Sequence, residues 1–372
     1  MPQNGRAVTS ETSAARPVVA WIATGGTIEA RGHDRLDRTA YGESGRRMPP
    51  RDLLVDLPEL SATADVRLVT WPAEPDPAGT VPRGPGGAGA EYARPPSHAW
   101  TVDDLVRLAH TVARTAADPE VTGVVVSCGT NGLEELAFFL SQVVGGDTPV
   151  IVTGAMRPAS ALGGDGPLNL LNAIRVAAHP RSAGRGVLVV FDDAILVARD
   201  VAKTATYRLG AFRSPELGPI GFADADGEVA FYRRSDGAPT GPPFDLGALP
   251  AVLPRVDVVV SYLGADGAMV DAAVAAGAAG IVSAGLGAGY PTSAEQTALE
   301  RAARKGVVVC QASRVGSGRV VPHAGTTAGG FVTAGDLSPW KARLLLSLAL
   351  ADQRPVKRIH HLFDAPVRGI QQ

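Results

Sequence analysis

The chain is poor in cysteine, poor in lysine and free of long apolar runs. Two cysteines in 372 residues, Cys128 and Cys310, cannot build a disulfide framework. Both lie in apolar, strand-like runs, and they read as buried free thiols of a reducing compartment. No uninterrupted apolar stretch reaches membrane-spanning length, and the opening MPQNGRAVTSETSAARP holds no apolar core of signal-peptide length. We therefore expect a cytoplasmic protein with no membrane partner. Blocks of like charge are missing too. The 35 basic and 37 acidic residues leave a formal net charge of -2, which offers nucleic acid no electrostatic footprint. Lysine is confined to Lys203, Lys305, Lys341 and Lys357, so a lysine beside a glycine turn or strand end draws notice.

Several catalytic signatures are also missing. There is no G-x-x-x-x-G-K-[ST] for a P-loop and no G-x-S-x-G elbow for a serine hydrolase. Seven histidines, among them the pair His360-His361, form neither H-E-x-x-H nor a cluster with zinc spacing. The glycines of SAGLGAGYP do not make a dinucleotide fingerprint. None of these motifs marks a metal, phosphate or dinucleotide site.

What is present is an alternation of short Val/Ile-rich strands with amphipathic helices. Strands are expected over 121–127, 149–153 and 186–191, with helices over 133–144 and 168–178. A helix opens behind Thr101, with acids in its first turn as the macrodipole prefers. Past residue 250 the alternation resumes on a smaller scale. Strands fall at 256–262, 280–283 and 307–311 and a helix at 269–276, and Thr292-Ser-Ala-Glu295 makes a capping box. A helix near 340–351 finishes the chain. This pattern means parallel sheets covered on both faces. The fold class is α/β, with two parallel-sheet, Rossmann-like domains, the larger N-terminal and the smaller C-terminal. The expected organisation is a disordered extension over 1–16, a catalytic domain over 17–235, a Pro/Gly-rich linker over 236–250 and a second domain over 251–372. The Pro/Gly-rich stretch 72–96 reads as a lid or insertion.

Ligands of such sheets gather at the carboxyl ends of strands. Three ends combine glycines with a hydroxyl or basic residue: Thr24-Gly-Gly-Thr27, Cys128-Gly-Thr-Asn131 and Gly154-Ala-Met-Arg-Pro158. With the other chemistries excluded, a threonine nucleophile remains. It needs an adjacent base and backbone N–H groups for the oxyanion. Lys203 in LVARDVAKT could be that base if burial lowers its pKa; it reads equally well as a surface charge on a loop.

The segments WIATGGTIEA, VVVSCGTNGLEELAFFL, VIVTGAMRPASALGGDGPLNLLNAI, RGVLVVFDDAILVARDVAKT and GIVSAGLGAG follow one another along the chain. Together they resemble the signature segments of bacterial-type L-asparaginases, in order, from about residue 18 to 363. The resemblance implies two-step amide hydrolysis through an acyl-threonine, with release of ammonia and no cofactor. It makes Thr27 the nucleophile, Tyr41 its loop partner, and Thr130 and Lys203 the second catalytic pair. Gly26, Ser97, His98, Gly129 and Asn131 are then the expected substrate-binding residues, Ser97 for the substrate carboxylate. It also implies a homodimer or homotetramer whose sites lie at subunit interfaces.

The chain departs from that family's pattern in one consistent direction. The second motif usually reads Thr-His-Gly-Thr-Asp-Thr, and here it is Ser127-Cys-Gly-Thr-Asn-Gly132. The aspartate that would contact a substrate ammonium is Asn131. Where a partner domain usually brings an asparagine and a glutamate toward that ammonium, this chain has Gly264 and, nearest to hand, His323. Three readings follow. First ranks hydrolysis of L-asparagine, then hydrolysis of a related amide lacking a free α-amine, and last a non-catalytic binder of small amides.

Overall fold

The computed structural model describes residues 15–71, 95–234 and 242–368. Most of the expected N-terminal extension and of the 72–96 insertion, and part of the 236–250 linker, lie outside the described residues.

Eight strands build the larger sheet. They are β1 (Val18–Ala23), β2 (Asp65–Thr70), β3 (Gly123–Ser127), β4 (Val150–Thr153), β5 (Val187–Phe191), β6 (Ala194–Val197) and, after a two-stranded ribbon of β7 (Ala202–Lys203) and β8 (Phe212–Arg213), β9 (Gly221–Ala223) and β10 (Val229–Phe231). Their spatial order is β10-β9-β6-β5-β4-β3-β1-β2. From β2 to β5 all pairings are parallel; from β5 to β10 they are antiparallel. The α/β class and the two unequal sheets agree with the sequence reading, and the antiparallel margin adds to it. That margin turns at Asp192 and Asp193, both at positive φ (50° and 64°). Two successive left-handed residues make the tight hairpin whose twist suits antiparallel strands.

The parallel strands β3, β4 and β5 are buried along their whole length, which is why they read as unbroken apolar runs. Their pleat still sorts side chains to two faces. Ala20, Ile22, Val124, Val126 and Val152 meet the helices Val102–Ala116 and Leu133–Val143 on one face. Val19, Trp21, Val125 and Ile151 meet the helix Gly166–Ala178 on the other. The capping box expected at Thr292 forms with Glu295, and Thr101 makes a second one with Asp104.

The smaller sheet is parallel throughout, in the order β11 (Val256–Val260), β12 (Gly280–Gly285), β13 (Val308–Ser313), β14 (Val332–Thr333). Helices Ala268–Ala275 and Ser293–Arg304 cover one face. The helix Pro339–Ala351 covers the other and packs at the same time into the core beneath Leu133–Val143. One continuous apolar core therefore runs from the large sheet to the small one. No helix among the described residues is long and apolar enough to cross a membrane.

Candidate active site

Strand register brings the three glycine-bearing turns to one edge. Ala23 lies beside Ser127, and Ser127 beside Thr153, so β1, β3 and β4 end level. Thr24 donates twice to the Ser127 carbonyl, from N at 3.0 Å and from Oγ1 at 2.9 Å. The Cys128 N–H donates to the Thr153 carbonyl at 3.0 Å. The turns then pack backbone against backbone. A Cβ on Gly26 would lie 2.5 Å from Gly129 Cα, and Gly26 sits at φ 95°. A Cβ on Gly129 would lie 2.4 Å from Ser97 Oγ. No side chain fits either place. The buried Glu29 steadies the first turn by accepting the Gly25 N–H at 3.1 Å.

Thr27 opens a single 3-10 turn directly after these glycines. It is buried, and its Oγ1 lies 3.0 Å from Tyr41 Oη. The loop that delivers Tyr41 is organised by Asp37, whose carboxylate accepts N–H groups of His33, Thr39 and Ala40. Those bonds, the His33 one foremost, hold its carboxyl below the usual range.

A second polar pair stands at the next turn. Lys203 Nζ donates to Thr130 Oγ1 at 3.0 Å and to Asn131 Oδ1 at 3.4 Å. Burial lowers the Lys203 pKa below that of an ordinary lysine, because desolvation penalises the ammonium. Asn131 Nδ2 reaches His98 Nδ1 at 3.5 Å, and Ser97 Oγ accepts the Gly132 N–H at 3.2 Å. Cys128, below this turn, is buried, and burial pushes its thiol pKa up; its part there is packing.

Tyr41, Thr130, Asn131 and Lys203 line one cleft of about 990 Å³, together with Thr39, Met156 and the run 204–208. Among the described residues, none that lines this cleft is an acid. Thr27 joins the cleft through Tyr41, Ser97 through the Gly132 N–H, and His98 through Asn131. All nine sequence-expected site residues thus fall in one connected neighbourhood. Gly264 and His323 do not line it. Gly264 is at φ 82°, four residues past the end of β11, and the His323 ring packs on Tyr290 at 4.9 Å between centroids.

Other contributors were missed from sequence. Met156 lies within a segment singled out there, but its place came from folding: the Met156 and Arg157 N–H groups both donate to Asp165, at 2.8 and 2.9 Å. Residues 204–208 carry no periodicity or motif that marks them as cleft wall. Glu134 and Lys341, described below, gave no signal beyond the rarity of lysine.

Comparison with known proteins agrees with this geometry. The chain matches the family model for the asparaginase N-terminal region over residues 18–236, and that for the glutaminase/asparaginase C-terminal domain over residues 255–363. It is 34% identical over 363 residues to a probable periplasmic L-asparaginase of Haemophilus influenzae, covering 97% of this chain and 96% of that protein. It is 40% identical over 245 residues to L-asparaginase 2 of Escherichia coli, covering 65% of this chain and 70% of that one. The crystal structure of a probable cytoplasmic L-asparaginase from Campylobacter jejuni superposes with a TM-score of 0.83 at 32% identity, covering 94% of this chain and 99% of the other. A match in both halves, with near full-length similarity to one relative and one solved structure, places this chain in the asparaginase family.

Proposed function

We propose that the protein hydrolyses the side-chain amide of L-asparagine to L-aspartate and ammonia. The observation that carries the reading is the pairing of two threonines with two different proton-handling groups at adjacent strand ends. Thr27 Oγ1 meets Tyr41 Oη at 3.0 Å, and Thr130 Oγ1 meets a desolvated Lys203 at 3.0 Å. In the first step Thr27 Oγ attacks the amide carbon while its proton passes to the Tyr41 oxygen and the phenol hands its own proton on to the amide nitrogen. Backbone N–H groups of the glycine turns stabilise the oxyanion. The C–N bond breaks, the nitrogen takes up a proton and ammonia leaves an ester on Thr27. In the second step water, deprotonated through the Thr130–Lys203 pair, attacks that ester, and the C–O bond to Thr27 breaks as Thr27 Oγ takes up a proton relayed through Tyr41. A lysine serves as base only when neutral, and burial of Lys203 favours that form. Ser97 would hold the substrate carboxylate, and His98 and Asn131 would face its α-substituents.

The family matches favour asparagine over the two other readings. The acid-free lining of the cleft keeps an amide without a free α-ammonium worth including in the test. The reading also divides the chain into a catalytic domain over 17–235, a linker over 236–250 and a second domain over 251–372, in keeping with the two sheets. It includes assembly into a homodimer or homotetramer with sites at subunit interfaces, and a cytoplasmic location in keeping with two buried free thiols.

The test is ammonia release from L-asparagine, L-glutamine, N-acetyl-L-asparagine and succinamic acid, with mass spectrometry of Thr27. Asparagine is expected to turn over, with an acyl adduct on Thr27. The Thr27→Ala variant should lose about 10⁴-fold or more in kcat. Release confined to the α-substituted or des-amino amides would overturn the substrate assignment, and no adduct with any amide would overturn the enzyme.

A further inference from the structure

Lys203 belongs to a weak element. Strand β7 is two residues long and pairs only with the two-residue β8, through Ala202 with Arg213 and Lys203 with Phe212. So short a ladder cannot hold a side chain to the accuracy that proton transfer needs. Two charged side chains from elsewhere in the chain do so.

Glu134 stands in the first turn of the helix that begins just behind Thr130 and Asn131. Its Oε2 accepts the Lys203 backbone N–H at 3.0 Å. Its Oε1 accepts from Trp340 Nε1 at 3.1 Å and from Ser338 Oγ at 3.4 Å, and lies 3.8 Å from Lys341 Nζ. Lys341, on the last-but-one helix, is only 3% exposed. Its ammonium donates to the Arg199 carbonyl at 2.8 Å and to the Val201 carbonyl. Segment 199–203 is thus gripped at two carbonyls by Lys341 and at one N–H by Glu134. Lys203 is attached twice to the same strand-turn-helix unit: by its backbone to Glu134 and by its amine to Thr130 Oγ1.

We propose that Glu134 and Lys341 are positioning residues for Lys203, so that a helix of the C-terminal part sets the geometry of the catalytic amine. The inference rests on the reading of Lys203 as the catalytic base. A lysine is an expensive choice for a buried helix position that an apolar residue would fill, unless its donors are needed there. Here they match two carbonyls of a segment with almost no ladder of its own. Burial, opposed by the Glu134 charge, sets the Lys341 pKa at about 8; Asp200 and Asp336 add to the Glu134 effect and Arg199 opposes it.

The experiment uses the full chain and the isosteric Glu134→Gln, with Lys341→Met as the second variant. It measures kcat and KM for asparagine, and titrates the four lysines by NMR of ε-carbon-labelled protein. Loosening the clamp lets the Lys203 amine swing into the open cleft and regain water. Folded Glu134→Gln is therefore expected to lose about tenfold to a hundredfold in kcat with KM within about twofold, and its Lys203 resonance to titrate at higher pH. A purely structural role would lower the unfolding midpoint and leave both readings unchanged in the folded protein; that result overturns the proposal. Should Lys341→Met not fold, Glu134→Gln alone decides. Should the wild type release no ammonia from any amide, the proposed activity falls, while the Lys203 titration still judges the clamp.

Discussion

At the scale of single residues, Asn131 is an uncharged neighbour of the Lys203 amine. Its Oδ1 accepts from the ammonium at 3.4 Å and its Nδ2 faces His98. An amide there offers a hydrogen bond without an anion. Burial then dominates, and the lysine pKa falls below its ordinary value. With Lys203 as the proposed base the active form is the neutral amine, so activity is expected to rise as pH climbs through that lowered pKa. Asn131→Asp would place a carboxylate against the amine, and an opposite charge so near favours the ammonium. In that variant the rising limb of kcat/KM should move to higher pH, with activity at pH 7 reduced. A pH–rate profile of the two proteins checks this, and an unmoved limb would remove Lys203 from the role of base. The identity of Asn131 was plain from sequence. Its place beside Lys203 was expected only through the family resemblance, because Lys203 lies 72 residues away and no local pattern joins them.

At the scale of elements, the site rests on turns that pack too closely for side chains. Gly26 carries two constraints together, a positive φ and a backbone neighbour where a Cβ would stand. Gly26→Ala should lose roughly 2–4 kcal/mol of stability by urea unfolding, since both left-handed strain and overpacking act. Gly42→Ala, which meets nothing within 4 Å, should stay within about 0.5 kcal/mol of the wild type. Equal losses would mean that turn packing is not what fixes this edge. Strand, glycine turn and helix were legible here because composition switches abruptly from β-branched to glycine to Leu/Ala/Phe. Strand β6 was not legible as a hairpin partner of β5. Its turn is Asp192-Asp193 rather than the Asn-Gly pair that usually marks left-handed turns. Strand β2 was missed as well: its residues are mostly half-exposed or exposed along an edge of the sheet, and half-burial leaves a weak apolar signal.

At the scale of the whole molecule, the two sheets share one core. Helices Leu133–Val143 and Pro339–Ala351 bury Leu136, Phe139 and Leu140 with Leu344, Leu345 and Leu348 in a single cluster. The ion pair of Arg199 with Asp336, at 2.7 Å, and the Glu134–Lys341 contact bridge the same two halves. Chains of this size with two sheets often unfold in stages. This one is expected to unfold in a single calorimetric transition, with calorimetric and van't Hoff enthalpies equal per cooperative unit. Two separate transitions would show that the shared core does not couple the halves.

The amino-acid sequence by itself determined most strands and helices of the two parallel sheets, the glycine turns at their ends, and the threonines and lysine that match the family's acyl-transfer segments. Those properties are local: β-branched runs, capping boxes and glycine pairs act over a few residues, and each can be read where it stands. Apart from the pairings of Thr27 with Tyr41 and Thr130 with Lys203, which the family resemblance implied, tertiary structure alone decided which of these groups meet. Thr130 and Lys203 are 73 residues apart, and Glu134 and Trp340 are 206 apart. Their contacts exist because level strand ends and a shared apolar core bring distant segments together, and no periodicity in the chain encodes that distance.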